Sequence, residues 1–150
     1  MELLDYINPY NWVMTLRNLA FDSGRLPSRM FDIPVICVGN LTLGGTGKTP
    51  HIEYIINLLK DEYAVATLSR GYRRKTKGFL IAVAGGDALA VGDEPSQIKK
   101  KFPIVTVAVD KSRKEGCDFL CHPELLHKSK KAKRCKDKNI PKADMIILDD

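Results

Sequence analysis

No apolar run in this 150-residue chain approaches the ~20 residues that a membrane-spanning helix requires. The acidic start, Met1-Glu2-Leu3-Leu4-Asp5, lacks the positively charged segment that opens a secretory signal peptide. These two absences predict a protein that stays in the cytoplasm unless something docks it to a membrane. The aliphatic-rich composition and moderate charge are typical of a soluble α/β domain, not of a disordered chain.

The cysteines include no Cys-x₂-Cys pair, so the usual frame of a structural zinc site is missing. Free thiols are the favoured prediction for a protein of a reducing compartment. A weaker zinc pattern remains as an alternative, and its candidate ligands are Cys117, Cys121, His122, His127 and Cys135.

Positive charge is concentrated in one stretch of the chain. The net charge is +6, and residues 128–138 carry much of the excess without a single aromatic residue. Because no aromatic ring is available to stack on bases, the usual device for binding single-stranded nucleic acid is absent. No nucleic-acid partner is therefore expected. A solvated insertion at about residues 127–142 is favoured over contact with an anionic membrane face.

A glycine-rich turn is the most informative feature that is present. It joins a predicted buried strand, residues 33–38, to a predicted helix, residues 49–60, whose apolar residues recur at helical spacing. The turn ends in Gly47-Lys48-Thr49, and this ending is typical of a phosphate-binding loop. In such a loop, backbone N–H groups surround phosphate oxygens, the lysine reaches the β and γ phosphates, and the hydroxyl holds Mg²⁺.

The match to the general loop pattern is imperfect, because Thr42 stands where the first glycine is expected. The alternative is a turn that binds nothing. The predicted nucleotide-binding residues are Thr42, Leu43, Gly44, Gly45, Thr46, Gly47, Lys48 and Thr49.

Charged residues follow several predicted strands. A strand at residues 63–68 leads into a basic turn that contains Arg70, and a strand at residues 144–148 leads into Asp149 and Asp150. Ligands of open parallel sheets bind outside the carboxyl ends of the strands. The acids are therefore candidates for Mg²⁺ binding and the basic turn for an anionic substrate. A solvated loop and a chance strand ending are the alternatives.

An acid pair, Asp93-Glu94, precedes a predicted helix at residues 96–102. It is either an exposed functional pair or a helix cap, and both roles can coexist. Further strands are predicted at residues 78–83 and 104–109, with a helix from about Arg113 onwards. The alternation predicts an α/β fold like that of P-loop NTPases, with three α/β/α layers and a mostly parallel sheet.

An amphipathic helix is predicted within residues 1–31, ahead of the nucleotide-binding domain at residues 32–150. Its apolar stripe consists of Trp12, Val13, Leu16, Leu19 and Ala20. The stripe packs either on a protein core or in a membrane interface, and periodicity favours the core.

The sequence resembles the tetraacyldisaccharide 4′-kinase family through motifs that occur in the family's order. These are Val38-Gly39-Asn40-Leu41-Thr42, Gly44-Gly45-Thr46-Gly47-Lys48-Thr49-Pro50, Leu68-Ser69-Arg70-Gly71-Tyr72, Gly92-Asp93-Glu94-Pro95, Val109-Asp110-Lys111-Ser112-Arg113 and Leu148-Asp149-Asp150. The resemblance implies transfer of the ATP γ-phosphate to the 4′-hydroxyl of a tetraacylated glucosamine disaccharide 1-phosphate. It also implies peripheral association with the cytoplasmic face of the inner membrane through the N-terminal helix.

The resemblance implies roles for individual residues as well. Asp93 resembles the catalytic carboxylate, acting with Lys48, and Asp149 and Asp150 resemble a pair that holds Mg²⁺ together with Thr49. The residues implied in the anionic substrate site are Arg70, Glu94 and Arg113.

The family continues beyond these motifs with a Gln-His motif and a large second half, so the resemblance covers an N-terminal half. A shortened chain is therefore expected. The alternative to a kinase is a noncatalytic nucleotide-binding fragment or module. The sequence leaves the oligomeric state open.

Overall fold

The structure, a computed structural model, describes residues 9–39 and 47–150. The chain divides into two compact units, Met1–Met30 and Phe31–Asp150. The first unit contains helix α1 (Pro9–Asp22), which confirms the predicted N-terminal helix. No residue of α1 is buried, and its exposed large side chains include Trp12 and Leu16, at 62% and 64%.

The second unit is built on one sheet. In its described residues the strands are β1 (Val35–Val38), β2 (Val65–Ser69), β3 (Leu80–Ile81), β4 (Thr106–Val109) and β5 (Met145–Asp149). Their order across the sheet is β1-β5-β2-β4-β3. Strands β1, β5, β2 and β4 are parallel, and β3 runs antiparallel to β4. The prediction of a mostly parallel sheet is confirmed.

Strand β3 runs in the opposite direction because no helix lies between it and β2. A parallel connection needs a crossover of a dozen or more residues, usually with a helix. The segment from β2 to β3 is a loop, so the chain comes back along the sheet instead of crossing over it. An antiparallel edge strand on an otherwise parallel sheet is common.

The helices described in the second unit are α2 (Lys48–Leu59), α3 (Ala88–Val91), α4 (Asp93–Lys101), α5 (Arg113–Cys121) and α6 (Leu125–Lys128), followed by a 3₁₀ turn (Lys130–Ala132). Three of them, α2, α4 and α5, lie close to predicted positions, and two short ones, α3 and α6, were not predicted. Ser112 caps α5, because its hydroxyl accepts from the Glu115 backbone N–H at 3.4 Å. Helix α3 is capped in the same way by Asp87, which accepts from Leu89 at 2.9 Å.

The cap role considered for the acid pair is wrong. Helix α4 begins at Asp93, three residues earlier than predicted, and Gly92 occupies the cap position with φ +104° and no side-chain cap bond. Asp93 and Glu94 therefore lie in the first turn, where negative charge is favourable beside the helix dipole. The physical reason is that Gly92 accepts a backbone conformation that a side chain there would disfavour.

The core lies where α2 and α5 pack on the central strands. Ile52 and Ile56 of α2 are buried, as are Ile146 and Ile147 of β5. Adjacent residues of β5 are both buried because a parallel sheet is covered on both faces, which explains its unbroken apolar run. Burying one such side chain contributes roughly 1.5–3 kcal/mol.

The basic stretch is not the solvated loop that the sequence suggested. Ala132 and Cys135 are buried within it, and Phe79 N donates to Lys131 O at 3.3 Å beside strand β3. Most of its charged side chains are exposed, so the charge pattern predicted the surface correctly and missed the apolar anchors. Two small residues among seven cations give no periodic signal.

Candidate active site

The carboxyl ends of the parallel strands are aligned in register. Asp149 of β5 lies opposite Val38 of β1 and Ser69 of β2, and Ser69 lies opposite Val109 of β4. The residues that follow these strands therefore emerge along one edge of the sheet. Backbone bonds extend the alignment by one residue, from Asp150 N to Val38 O at 3.1 Å and from Asp110 N to Ser69 O at 3.0 Å.

Helix α2 brings a lysine to this edge. Gly47 precedes the helix in the left-handed conformation, with φ +77°, which glycine adopts without strain. Lys48 is the first residue of α2 and Thr49 the second. The Lys48 Nζ lies 3.4 Å from Asp149 Oδ1 and donates to the Asp150 carbonyl oxygen at 3.2 Å.

Two arginines reach the same strand end. Asp150 Oδ1 lies 2.7 Å from Arg113 Nη2 and 3.2 Å from Arg70 Nη2. Arg113 also donates to the carbonyl oxygens of Asp149 at 3.2 Å and Asp110 at 2.9 Å. Its side chain is 17% exposed against 68% for Arg70, so solvent screens the Arg113 pair less. Of the two arginines, Arg113 therefore forms the stronger ion pair with Asp150.

Asp149 is a buried carboxylate with spare bonding capacity. It is 8% exposed, and its Oδ1 has no hydrogen-bond partner among the described residues. The Lys48 ammonium is near enough for an ion pair, but its geometry does not make a hydrogen bond. A buried carboxylate oxygen that accepts no hydrogen bond from the described residues fits a hard cation. Mg²⁺ is commonly held by one or two carboxylates together with phosphate oxygens.

Side chains that can bind metals are scattered in the part of the chain that the structure describes. Among residues 9–39 and 47–150, no three His, Cys, Asp or Glu side chains form a group that could hold a metal ion. The alternative zinc set is thereby unsupported: Cys135 Sγ donates instead to Asp137 O at 2.9 Å, and burial raises the pKa of Cys117 to about 12. None of the cysteines, all in the described part of the chain, forms a disulfide.

The acid pair of α4 is not joined to this cluster by any ion pair within the described residues. Asp93 and Glu94 are exposed, and within the described chain neither forms an ion pair with Lys48, Arg70 or Arg113. The structure therefore brings together the residues predicted at the strand ends, and within the described chain no ion pair links the acid pair to them. The other predicted loop residues, Thr42, Leu43, Gly44, Gly45 and Thr46, lie outside the described residues.

Sequence reasoning missed Asp110. This carboxylate directly follows β4, is 3% exposed, and accepts from Ser112 N at 3.1 Å through Oδ1. Burial raises the pKa of Asp110, and the Ser112 hydrogen bond opposes that rise. Its Oδ2 is buried and has no partner in the described chain. The available signal was the one used for Asp149, an apolar strand that ends in an acid.

A mostly parallel α/β sheet, a glycine-started helix with lysine at its first position, and acids at a neighbouring strand end define the P-loop class of nucleotide-binding proteins. Comparisons with known proteins carry the assignment further. The family model described as LpxK, Tetraacyldisaccharide-1-P 4′-kinase, matches residues 8–150. The chain belongs to this family.

The relatives include proteins named tetraacyldisaccharide 4′-kinase. That of Porphyromonas gingivalis strain W83 is 54% identical over 112 residues, which cover 75% of this chain and 31% of the relative. That of Phocaeicola vulgatus is 46% identical over the whole chain and 38% of the relative. The chain thus spans about a third of the length of the curated relatives it matches.

A solved structure has the same fold. It is the "apo" form of LpxK from Aquifex aeolicus in complex with ATP, with a TM-score of 0.70 and 34% identity over 97% of this chain and 41% of that one. The predicted P-loop-like α/β/α fold is confirmed.

Proposed function

We propose that the chain is the nucleotide-binding part of a kinase that transfers the ATP γ-phosphate to the 4′-hydroxyl of a tetraacylated glucosamine disaccharide 1-phosphate. The observation that carries the proposal is the meeting of Lys48, Asp149 and Asp150 at the carboxyl edge of the sheet. The family supports the acceptor, because its model is described as a tetraacyldisaccharide-1-P 4′-kinase.

ATP is assigned to the loop formed by residues 42–49. Lys48 Nζ lies at the start of α2, where the helix dipole also favours an anion. Once phosphate oxygens replace the Asp150 carbonyl as acceptors of the ammonium group, Lys48 neutralises charge that develops during transfer. The ion pair with Asp149 keeps the lysine at that edge beforehand.

Mg²⁺ is assigned to Thr49, Asp149 and Asp150 with phosphate oxygens. The Oδ1 of Asp149 supports this assignment because it is buried, accepts no hydrogen bond within the described residues and has only the Lys48 ammonium, at 3.4 Å, to offset its charge. A bound magnesium ion would offset negative charge on the transferred phosphate. Arg113 holds Asp150 through a side chain that is largely shielded from solvent, so this acid stays at the strand end.

The acceptor is assigned to the neighbouring turns. Asp93 accepts the proton of the 4′-hydroxyl while that oxygen forms a bond to the γ-phosphorus and the bond to the ADP oxygen breaks. Arg70, Glu94 and Arg113 line the anionic substrate site. Arg70 suits this role because its side chain is 68% exposed and, among the described residues, it pairs with a single oxygen of Asp150.

The function is tested with the completed kinase, by which we mean a protein that joins this chain to the remainder of the kinase. The assay measures transfer of labelled phosphate from ATP to the tetraacyl disaccharide. We expect the parent protein to transfer phosphate. Lys48→Ala or Asp93→Ala should reduce the transfer rate by about 100-fold or more. Lys60→Ala, at the other end of α2, should leave the rate unchanged. Undiminished transfer by either site variant would refute the residue assignments.

The second candidate, a noncatalytic nucleotide-binding module, rests on the share of the relatives that the chain spans. Calorimetric titration of the 150-residue chain with MgATP separates the two. The noncatalytic module would be favoured if the chain binds MgATP and neither the chain nor the completed protein phosphorylates the sugar. Phosphorylation by the completed protein alone favours the kinase.

Membrane contact through α1 belongs to the same proposal, at the cytoplasmic face of the inner membrane. Val13, Leu16 and Leu19 are 61%, 64% and 57% exposed, although no helix in the described part of the chain is long and apolar enough to span a bilayer. An interfacial helix needs only one apolar face. Leu16→Ser with Leu19→Ser should reduce cosedimentation with anionic vesicles, whereas Asn18→Ser should not.

A further inference from the structure

The turn after β2 and the start of α4 approach each other backbone to backbone. A Cβ atom at Gly71 would lie 2.6 Å from the Val91 carbonyl oxygen, and one at Gly92 would lie 3.1 Å from the Tyr72 carbonyl oxygen. Both glycines have positive φ, +67° and +104°. Asp93 directly follows Gly92, so the place of this carboxylate depends on the glycine contact.

Arg74 lies against the same contact. A Cβ at Gly71 would be 2.6 Å from Arg74 Cδ, and Arg74 N donates to Gly71 O at 3.1 Å. The guanidinium Nη1 donates to the carbonyl oxygens of Gly78 at 2.9 Å and Val109 at 3.4 Å. Since Val109 ends β4, one side chain joins the turn after β2 to the carboxyl end of a neighbouring strand.

The turn also bonds to the helix that precedes the acid pair. Lys75 N donates to Leu89 O at 3.0 Å, and the Thr76 hydroxyl donates to Ala90 O. Leu89 and Ala90 belong to α3, which ends one residue before Gly92. A displacement of the turn would therefore carry the start of α4 with it.

Arginine suits this position for a physical reason. Its planar guanidinium presents several donors in a fixed arrangement and keeps its charge in proteins. Burial lowers the pKa of Arg74, and the negative charge of Asp110 opposes that effect. Lysine would supply the charge with a point-like donor on a flexible stem, so it would replace arginine only in part.

We propose that Arg74 is a positioning residue that fixes the contact between Gly71 and Gly92 and thereby sets Asp93 relative to Arg70 and the strand-end acids. This inference rests on the proposed function, because it gives the position of Asp93 a role in phosphoryl transfer. Arg74 itself acts through the backbone and contacts no reacting group.

The test compares Arg74→Met, which keeps the stem and removes the donors, with Arg74→Lys in the completed kinase. A small misplacement of a reacting group can cost about 100-fold in rate. We expect Arg74→Met to lower kcat at least tenfold and to leave the KM for ATP within twofold, because Lys48 belongs to α2, which follows β1, and not to the turn after β2. Arg74→Lys should recover part of the lost kcat.

Lys99→Met is the matched control. Lys99 is also a half-buried cation that bridges two carbonyl oxygens, those of Pro103 at 2.8 Å and Val105 at 2.9 Å. Burial lowers its pKa as it does that of Arg74. These carbonyls lie before β4, at the opposite end of the strand from Val109. We expect Lys99→Met to lower the melting temperature and to leave kcat unchanged.

Amide hydrogen exchange on the 150-residue chain gives a readout independent of catalysis. Arg74→Met should speed exchange in residues 71–76 and 88–93 and spare α2, whereas Lys99→Met should not affect those residues. Unchanged exchange in them, or a kcat within twofold of the parent, would overturn the inference.

The two proposals can fail separately. If Asp93→Asn abolishes transfer and Arg74→Met leaves kcat unchanged, the positioning role is wrong and the proposed function stands. If Asp93→Asn remains active, the catalytic assignment fails, and the exchange measurement still decides whether Arg74 holds the glycine contact.

Discussion

The two edges of the sheet use charged side chains in different ways. At the amino edge, Asp144 and Ala64 are joined by reciprocal bonds, Asp144 N to Ala64 O at 2.9 Å and Ala64 N to Asp144 Oδ2 at 2.8 Å. Lys99 bridges two carbonyl oxygens nearby. At the carboxyl edge, Asp149 and Asp110 each keep a buried oxygen without a hydrogen bond in the described chain.

The difference separates structural from functional charge. A charged side chain whose hydrogen bonds all go to backbone groups stabilises the fold, and it has no remaining donor or acceptor for a ligand. A buried carboxylate with an unused oxygen costs free energy, and that cost is repaid when a cation or a donor arrives. Buried carboxylate oxygens that accept no hydrogen bond from the described residues, more than the number of charges, therefore distinguish the carboxyl edge as the candidate site.

The largest effect should come from Lys48→Met at the carboxyl edge. Removing one preorganised cation from a phosphoryl-transfer site costs about 10²–10³ in rate. We expect a loss of this size in labelled-phosphate transfer by the completed kinase. Lys60→Met is the control, since this residue ends the same helix and pairs with its neighbour Asp61 at 2.9 Å. Equal losses in both variants would erase the distinction between the ends of α2.

Gly71→Ala should be the next largest. It combines a left-handed backbone with a Cβ 2.6 Å from the Val91 carbonyl oxygen, and we expect a loss of about 3 kcal/mol in the free energy of unfolding. Gly85→Ala is matched in φ, at +74°, with nothing within 4 Å, so about 1 kcal/mol is expected. Denaturant unfolding measures both, and equal values would contradict the close approach.

Asp144→Ala tests the amino edge. It removes one hydrogen bond to Ala64 N, so the free energy of unfolding should fall by about 0.5–1.5 kcal/mol while affinity for MgATP is unchanged. Asp61→Ala removes an exposed pair and should change stability by less than about 0.5 kcal/mol. A weakened MgATP affinity in Asp144→Ala would show that the two edges are not independent.

Asp110→Asn should give the smallest effect of the four, a change in how the melting temperature depends on pH. Burial raises the pKa of Asp110, so the folded state takes up this proton more readily than the unfolded state. Its stabilising contribution is therefore present in acid and lost as pH rises through the folded pKa. The melting temperature of Asp110→Asn minus that of the parent should be more positive at pH 7.5 than at pH 4.5. A constant or reversed difference would rule out a raised pKa.

Much of the sheet could be predicted because local pattern and tertiary role agree there. Residues 145–149 form an apolar run that a covered parallel strand requires, and the acids after it had to emerge at the carboxyl edge. The phosphate-loop motif predicted Lys48 at the end of the turn before a helix at residues 49–60, and α2 begins one residue earlier, at Lys48. Strand β3 is two residues long, and its direction depends on a missing crossover helix, which a pattern of apolar residues does not record.

The remainder of the site depends on contacts that no local pattern contains. Asp110 did carry a local signal, because it directly follows an apolar strand, but its burial to 3% exposure did not show in the sequence. Arg74 matters because two distant carbonyl oxygens accept hydrogen bonds from its guanidinium. Gly92 looked like a simple turn residue, although its φ makes it the boundary of α4. For Arg74 and Gly92 the information lies in the neighbours that folding supplies, which explains why sequence reasoning found Asp149 and Asp150 and missed these supporting residues.

The reciprocal hydrogen bonds between Asp144 and Ala64 affect how the protein tolerates insertions and deletions in its sequence. Side chains of a strand alternate with a period of two, so a slip of one residue in β5 would move Asp149 to the wrong face of the sheet. The reciprocal bonds reset the alignment just before β5 begins. Insertions and deletions in the lysine-rich stretch upstream should therefore leave the position of Asp149 unchanged. An extra residue within β5 itself should displace Asp149.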